Sequence, residues 1–360
     1  MGCIKEFLPE EFFVVGISYK NTDADTRGQF SISFKQYENI VRLAPCFGVA
    51  EMFVLSTCNR TEIYGFAKDS SVFINLLHSQ ATGDLDLLKK TAYVKNGIEG
   101  IRHLYYVGCG LDSQILGDYE IVSQLKHAVN FSRDNKFMGS FLERLVSSVL
   151  QASKKVKTYT ALSSGSVSVS FSAARYIKEK TRLTSTSKIL VLGAGKIGRN
   201  TCKNLLGYFP SENITIMNRS LEKAMNVAKE LNVNYVHTEF LSSQIEAADV
   251  ILVATSSTEP VILKSHLLNS GKKIILDLSI PCNVEAGVID LPNVEVIYVD
   301  QVSKLKDDNL QKRFAEVPKA KRIIESQINE FMEWVDKRNQ MELFLSANGE
   351  SKYSFSGVFA

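Results

Sequence analysis

Several features are missing from this 360-residue chain, and each absence removes a class of function. The six cysteines, Cys3, Cys46, Cys58, Cys109, Cys202 and Cys282, include no C-x-x-C pair, which argues against a zinc site and against a disulfide framework. Scattered thiols of this kind suit a reducing compartment, so the expected location is cytoplasmic. No run is long and apolar enough to span a bilayer, and Glu6 interrupts the N-terminus where a signal peptide needs an apolar stretch. The Gly2-Cys3 start is no lipidation signal either, because Glu6 stands where the myristoylation pattern wants Ser or Thr. Net charge is only +3, so no global basic field points to nucleic acid, although a local basic face stays open. Internal repeats and low-complexity tracts are absent as well. What remains is 45% hydrophobic and 22% charged sequence, the proportions of a soluble protein of two or three domains with sizeable cores.

Hydrophobic patterning divides the chain into three blocks. In the first, residues 12–17 and 52–55 read as short strands, and residues 33–43, 71–77, 100–107, 121–132 and 141–158 read as helices, an α+β pattern. A Ser- and Gly-rich stretch at 163–168 and a polar run at 181–188 flank one further helix, 169–180. The second block alternates strands at 189–192, 213–217, 250–254, 274–278 and 294–299 with helices at 197–206 and 221–231, the signature of a parallel, doubly wound sheet. The third block, from about residue 301, is charged and helical. Its apolar Ile323, Ile324, Ile328, Phe331, Trp334 and Val335 recur at helical spacing and form a stripe that needs a partner surface.

Two segments carry chemistry. Cys58 lies in Ser56-Thr57-Cys58-Asn59-Arg60-Thr61-Glu62, directly after an apolar run, where the neighbouring guanidinium is expected to favour thiolate and hence nucleophilic catalysis. Gly193-Ala194-Gly195-Lys196-Ile197-Gly198 follows a buried-type strand and opens a helix, the context of a dinucleotide site. The first glycine permits the turn, the second lets backbone approach pyrophosphate and the third permits close packing. After the next strand the chain reads Asn218-Arg219-Ser220 where an NAD enzyme carries Asp or Glu. With no carboxylate to repel a 2′-phosphate, and Arg219 and Ser220 there to bind it, NADPH is favoured over NADH. A nucleophilic thiol joined to a nicotinamide domain suits reduction of an activated acyl group through an enzyme thioester.

These segments, with Gly16-Ile17-Ser18-Tyr19-Lys20, Gly110-Leu111-Asp112-Ser113-Gln114-Ile115-Leu116-Gly117, Ala248-Asp249-Val250 and Asp277-Leu278-Ser279-Ile280-Pro281, give a chain that resembles the glutamyl-tRNA reductase family over most of its length. The resemblance implies an α/β multidomain protein. It would have an N-terminal α+β catalytic domain (residues 1–160), a Rossmann-like NADP-binding domain with a parallel sheet (161–302) and a C-terminal spinal or dimerisation helix with its tail (303–360). It implies that Cys58 attacks glutamyl-tRNA(Glu), releasing tRNA, and that NADPH then yields glutamate 1-semialdehyde, the first step of tetrapyrrole synthesis. Thr57, Asn59 and Arg60 would line the glutamate pocket, with Arg60 as a bidentate carboxylate clamp. Ser113, Asp118, Tyr119, Glu120 and Gln124 match further substrate-contacting positions, and His103 matches a histidine placed to assist proton transfer. A homodimer and a glutamate-1-semialdehyde aminomutase partner are implied in the same way.

The chain also departs from the family. Gly117-Asp118-Tyr119-Glu120 replaces the usual Gly-Glu-Pro-Gln, Cys282 follows Pro281 where Arg is usual, and Gly28 follows Arg27 where an acid is common. The chain stops 26 residues after Trp334, so the expected dimerisation helix is short, and its apolar stripe serves either self-association or cover for its own domain. Two other readings compete with the reductase: a shikimate-type NADP dehydrogenase that has no need of Cys58, and a non-catalytic paralogue that binds tRNA or a partner. Domain approach requires a hinge, expected near residues 162–168.

Overall fold

The computed structural model describes residues 9–163, 168–180, 186–303 and 310–347. The core of the expected hinge, most of the polar run at 181–188, the first eight residues and the tail from 348 lie outside them. The first block is built on a four-stranded antiparallel sheet of β1 (Phe12–Ser18), β2 (Met52–Ser56), β3 (Arg60–Phe66) and β4 (Tyr93–Asn96), in the order β2-β3-β1-β4. Alternation along β1 sends Phe12 and Val14 into one core and Val15 and Ile17 into another, so helices cover both faces. β3, which carries the polar sequence Arg60-Thr61-Glu62 at its start, is buried along its whole length. Periodicity alone does not announce such a strand; the buried polar residues explain it, because they pair with one another. Gly16 faces Glu62 across the ladder, and a Cβ there would meet the Thr61 carbonyl at 2.2 Å and Glu62 Cγ at 2.8 Å. Only glycine leaves room for the Glu62 side chain.

The second block is a six-stranded sheet: β5 (Ile189–Leu192), β6 (Ile214–Met217), β7 (Asn234–Val236), β8 (Val250–Val253), β9 (Lys273–Asp277) and β10 (Val294–Tyr298). All neighbours are parallel, in the order β10-β9-β8-β5-β6-β7. The expected doubly wound fold is present. β7 adds an edge strand of three mostly exposed residues, too short and too polar to stand out as a pattern. Strand order reverses between β5 and β8, and the glycine loop emerges there, at the crevice where such sheets bind ligands.

The third block folds back. Its helix, Leu310–Ala347, inserts Ala320, Ile324, Ile328, Phe331 and Val335 into the same core as Phe12, Tyr105, Phe141 and Leu145 of the first block. The apolar stripe is therefore covered by the chain's own first domain and is not left for a second copy. Phe331 meets Phe141 edge-on at 5.2 Å, an arrangement aromatic rings favour. Among the described residues, no helix is long and apolar enough to cross a membrane, and no cluster of His, Cys, Asp or Glu could hold a metal ion.

Candidate active site

Cys58 sits in the turn between β2 and β3. The turn is held by Thr57, whose hydroxyl accepts the backbone N–H groups of Asn59 (3.1 Å) and Arg60 (3.2 Å), while the Thr57 N–H donates to the Arg60 carbonyl at 2.8 Å. Asn59 hands its carbonyl to the Tyr19 N–H at 2.9 Å. The turn forms one wall of a pocket lined by Thr57, Cys58, Asn59 and Arg60, with Ser113, Asp118, Glu120 and Gln124 opposite, and Val169, Ser170 and Ile197 closing it from the second domain. Eight of the residues expected to touch substrate or react are thus brought together. Two are not. Tyr119 points its hydroxyl at the Ser153 carbonyl (3.4 Å), and His103 is buried with Nε2 against Glu62 Oε1 at 2.6 Å.

The electrostatics correct the expectation for the thiol. Burial pushes Cys58 up to about 12, Asp118 adds to the rise, and the cation that opposes it is Arg27 rather than Arg60. The thiol is therefore protonated at neutral pH and needs a base. Arg60 lines the pocket but turns its guanidinium away from the thiol, because β3 alternation sends Arg60, Glu62 and Tyr64 towards the helix Gly97–Gly108, which carries His103. Its Nη1 donates to Glu62 at 3.1 Å and its Nη2 to both the carbonyl and the carboxylate of Asp112. Glu62 also accepts the hydroxyls of Tyr64, at 2.5 Å, and Tyr93. Burial alone would raise the Glu62 pKa, but Arg60 and His103 outweigh it and hold the carboxyl far below its usual range. Asp112 is likewise held low by Arg60, with Lys20 helping, against burial.

Asp118 is the opposite case. Burial raises its carboxyl to about 6, reinforced by the like charge of Glu120 and opposed by the Glu120 backbone N–H, which donates to it at 2.9 Å. Opposite it, Asn59 Oδ1 is buried without a hydrogen-bond partner, an acceptor aimed at a donor that the protein itself does not supply. The residues that sequence reasoning passed over are Arg27, Glu62, Asp112 and Asp300. Glu62 and Asp112 lie inside the segments that carry the family resemblance, but neither left a local signal of its role, because β3 does not show as a strand in the pattern and Asp112 lies in the turn after the helix Gly97–Gly108.

The glycine loop fits a dinucleotide. Gly193 has φ +108°, and a Cβ there would lie 2.2 Å from the Ala254 carbonyl, so the turn packs against the end of β8 as such a loop must. Gly195 opens the ten-residue helix Lys196–Leu205, and nothing lies within 4 Å of where its Cβ would be, which leaves the helix N-terminus open to phosphate. Gly198 is buried and Ala194 and Ile197 are half-buried. Asn218 turns out to brace the loop: its Oδ1 accepts the Ala194 N–H at 3.1 Å. Ser220 caps the helix Leu221–Leu231, and Arg219 is exposed beside it. Lys196 reaches back across the cleft to Glu120 at 3.7 Å.

Comparisons with known proteins identify both domains. Residues 15–160 match the model of the glutamyl-tRNA(Glu) reductase N-terminal domain, and residues 175–305 match the shikimate/quinate 5-dehydrogenase model. A glutamyl-tRNA reductase of Flavobacterium psychrophilum is 44% identical over 91% of this chain and 79% of that protein. The chain belongs to the glutamyl-tRNA reductase family. A family member from Christiangramia forsetii is 41% identical over the same shares. The glutamyl-tRNA reductase structure from Methanopyrus kandleri aligns with a TM-score of 0.52 at 26% identity, covering 91% of this chain and 81% of that one. The protein is thus an oxidoreductase with a nicotinamide-nucleotide domain, and the shikimate-type match is confined to that second domain.

Proposed function

We propose that the protein reduces the glutamyl group of glutamyl-tRNA(Glu) to glutamate 1-semialdehyde with NADPH, through a thioester on Cys58. The observation that carries this reading is that Cys58 and Ile197 of the glycine loop line one pocket, which puts a thiol and a dinucleotide loop on the same cleft. Asp118 takes the thiol proton. The sulfur then adds to the ester carbonyl carbon, the bond from that carbon to the terminal ribose oxygen breaks, and the departing oxygen receives the proton, so tRNA leaves with a free hydroxyl. Asn59 Oδ1, with Asp118 and Glu120, presents acceptors to the substrate's α-ammonium beside the reacting carbon. Arg60 has three hydrogen bonds engaged with Glu62 and Asp112, and its guanidinium meets the substrate's side-chain carboxylate from that fixed position. His103 acts at one remove, by holding Glu62. Ser113 and Gln124 complete the wall, and Tyr119 sets the backbone between Asp118 and Glu120.

Residues 193–198 would hold NADPH, with Arg219 and Ser220 at its 2′-phosphate, and bound there it would supply the hydride that reduces the thioester to the aldehyde and frees the Cys58 sulfur. We assign residues 1–160 to catalysis, 161–302 to the nucleotide and 303–360 to the C-terminal helix and tail. The protein is placed in the cytoplasm, and transfer of product to an aminomutase is proposed on the family resemblance. A homodimer would use the exposed Met341, Leu343 and Phe344, since the stripe from Ile323 to Val335 is covered. The test is a single turnover with glutamyl-tRNA. The parent should show a glutamyl adduct on Cys58 by mass spectrometry without NADPH and aldehyde with it, and Cys58→Ser should show neither a thioester nor aldehyde. Aldehyde production by the Cys58→Ser protein would sink the mechanism.

A further inference from the structure

Arg27, in the helix Ala24–Gln29, is 2% exposed and has each end of its fork engaged. Nε donates to the Cys58 carbonyl at 3.0 Å, Nη1 to the Thr22 carbonyl at 2.7 Å, and Nη2 to Asp300 Oδ1 at 2.6 Å. Asp300 belongs to the second domain, in the short helix Val299–Ser303 after β10, so it lies at the carboxyl ends of the strands, the side on which the nucleotide crevice opens two strands away. The same Asp300 oxygen accepts Gln114 Nε2 at 3.3 Å. Gln114 adjoins Ser113 of the opposite pocket wall, and its Oε1 is buried without a partner, so its side chain is anchored through its nitrogen. The joint is close-packed around this point. A Cβ on Gly28 would lie 3.0 Å from Pro281 Cβ, and the Cys282 thiol donates to Asp25 at 3.3 Å.

We propose that Asp300 is a positioning residue for the reduction: through Arg27 it holds the Cys58 turn, and through Gln114 the Ser113 loop, in register with the nucleotide-binding half. The inference rests on the reductase reading above. Acyl transfer uses groups of the first domain, so it tolerates a loosened joint. Reduction requires a carbon on one domain to meet a hydride donor on the other, and a displacement of about 1 Å costs on the order of a hundredfold. A thioester that waits too long is attacked by water, which adds to the same carbon, expels the Cys58 sulfur and leaves free glutamate. Burying a charge pair in such a joint is a poor source of stability, because desolvation offsets the attraction, but it fixes geometry by direction and distance.

The experiment compares the parent with Asp300→Asn, and with Gln114→Met as a milder cut that spares the Arg27 pair. Without nucleotide, the glutamyl adduct on Cys58 should form in Asp300→Asn within about threefold of the parent rate. With NADPH, aldehyde should fall by about a hundredfold while free glutamate rises; Gln114→Met should move the same product ratio by about tenfold. Solution scattering of the nucleotide-free Asp300→Asn protein should show a larger maximum dimension, a reading independent of turnover. An unchanged product ratio in both variants, or adduct and aldehyde falling by one common factor in both, overturns the proposal. A parent protein that forms no adduct overturns the reductase reading first, and this inference with it.

Discussion

Glu62 is buried and Asp118 half-buried in the first domain, and loss of solvent pushes both carboxyls upward, yet one ends far below its ordinary value and the other at about 6. The difference is the partner. Glu62 faces Arg60, His103 and two tyrosine hydroxyls, so its charge is solvated by the protein. Asp118 faces another carboxylate, a distant lysine and one backbone N–H. On the proposed mechanism, the first of these is a fixed charge behind the pocket and the second a proton acceptor within it. If Cys58, pushed up to about 12, reacts as proposed, the second kind of carboxyl is the one it uses.

The sharpest way to break the comparison is to remove the fixed charge. Glu62→Gln leaves Arg60 with Asp112 alone in a buried site and should cost about 3 kcal/mol, measured by urea unfolding at neutral pH. Because folding lowers the pKa of Glu62 from an ordinary 4.5, its stabilisation is complete above that pH and drains away as the pH falls towards the depressed folded value. Parent stability should therefore fall on acidification more steeply than that of Glu62→Gln. Equal slopes would mean that the network holds no net charge energy.

Asp118→Asn comes next, at about a hundredfold in the rate of adduct formation at neutral pH. Only the ionised carboxyl accepts the thiol proton, so the parent rate should climb as pH rises through about 6. In Asp118→Asn that limb should vanish. A limb near 6 that survives the substitution would hand the base to another group.

How far the sequence announced these roles depends on what kind of signal each left. The glycine loop, the parallel sheet and Cys58 itself came from local patterns, while the residues around Cys58 came from the family resemblance, and the structure brings eight of the expected substrate and reaction residues to one cavity. His103 and Arg60 were legible as important and not as to what they face, because a side chain's direction in β3 follows from pairing with β1 and from the helix above, neither of which is a local property. Arg27 and Asp300 are 273 positions apart and were invisible as a pair. The apolar stripe of the last helix was legible, and its occupant was not, since a stripe records that something covers it and nothing about which surface does.

Exposed cations sharpen the comparison from the other side. Arg219 is exposed, with no side-chain partner among the described residues, and the proposal gives it a phosphate. Arg219→Ala should narrow the preference for NADPH over NADH by about tenfold, read from the ratio of dissociation constants, the scale of one charge-assisted hydrogen bond. An unchanged ratio would remove the 2′-phosphate from this position.

Lys20 should matter least. It pairs with Asp112, the same carboxylate that Arg60 holds, but its side chain is 49% exposed against 1% for Arg60. Water and salt already screen it, so Lys20→Met should cost about 0.5 kcal/mol, and less in high salt. Asp112 should stay depressed without it, because Arg60 is the larger influence and remains in place. A loss as large as that of Glu62→Gln would mean that the exposed cation shares the network's charge equally. The contrast between a protein-solvated carboxylate and a proton carrier would then rest on more than the buried guanidinium.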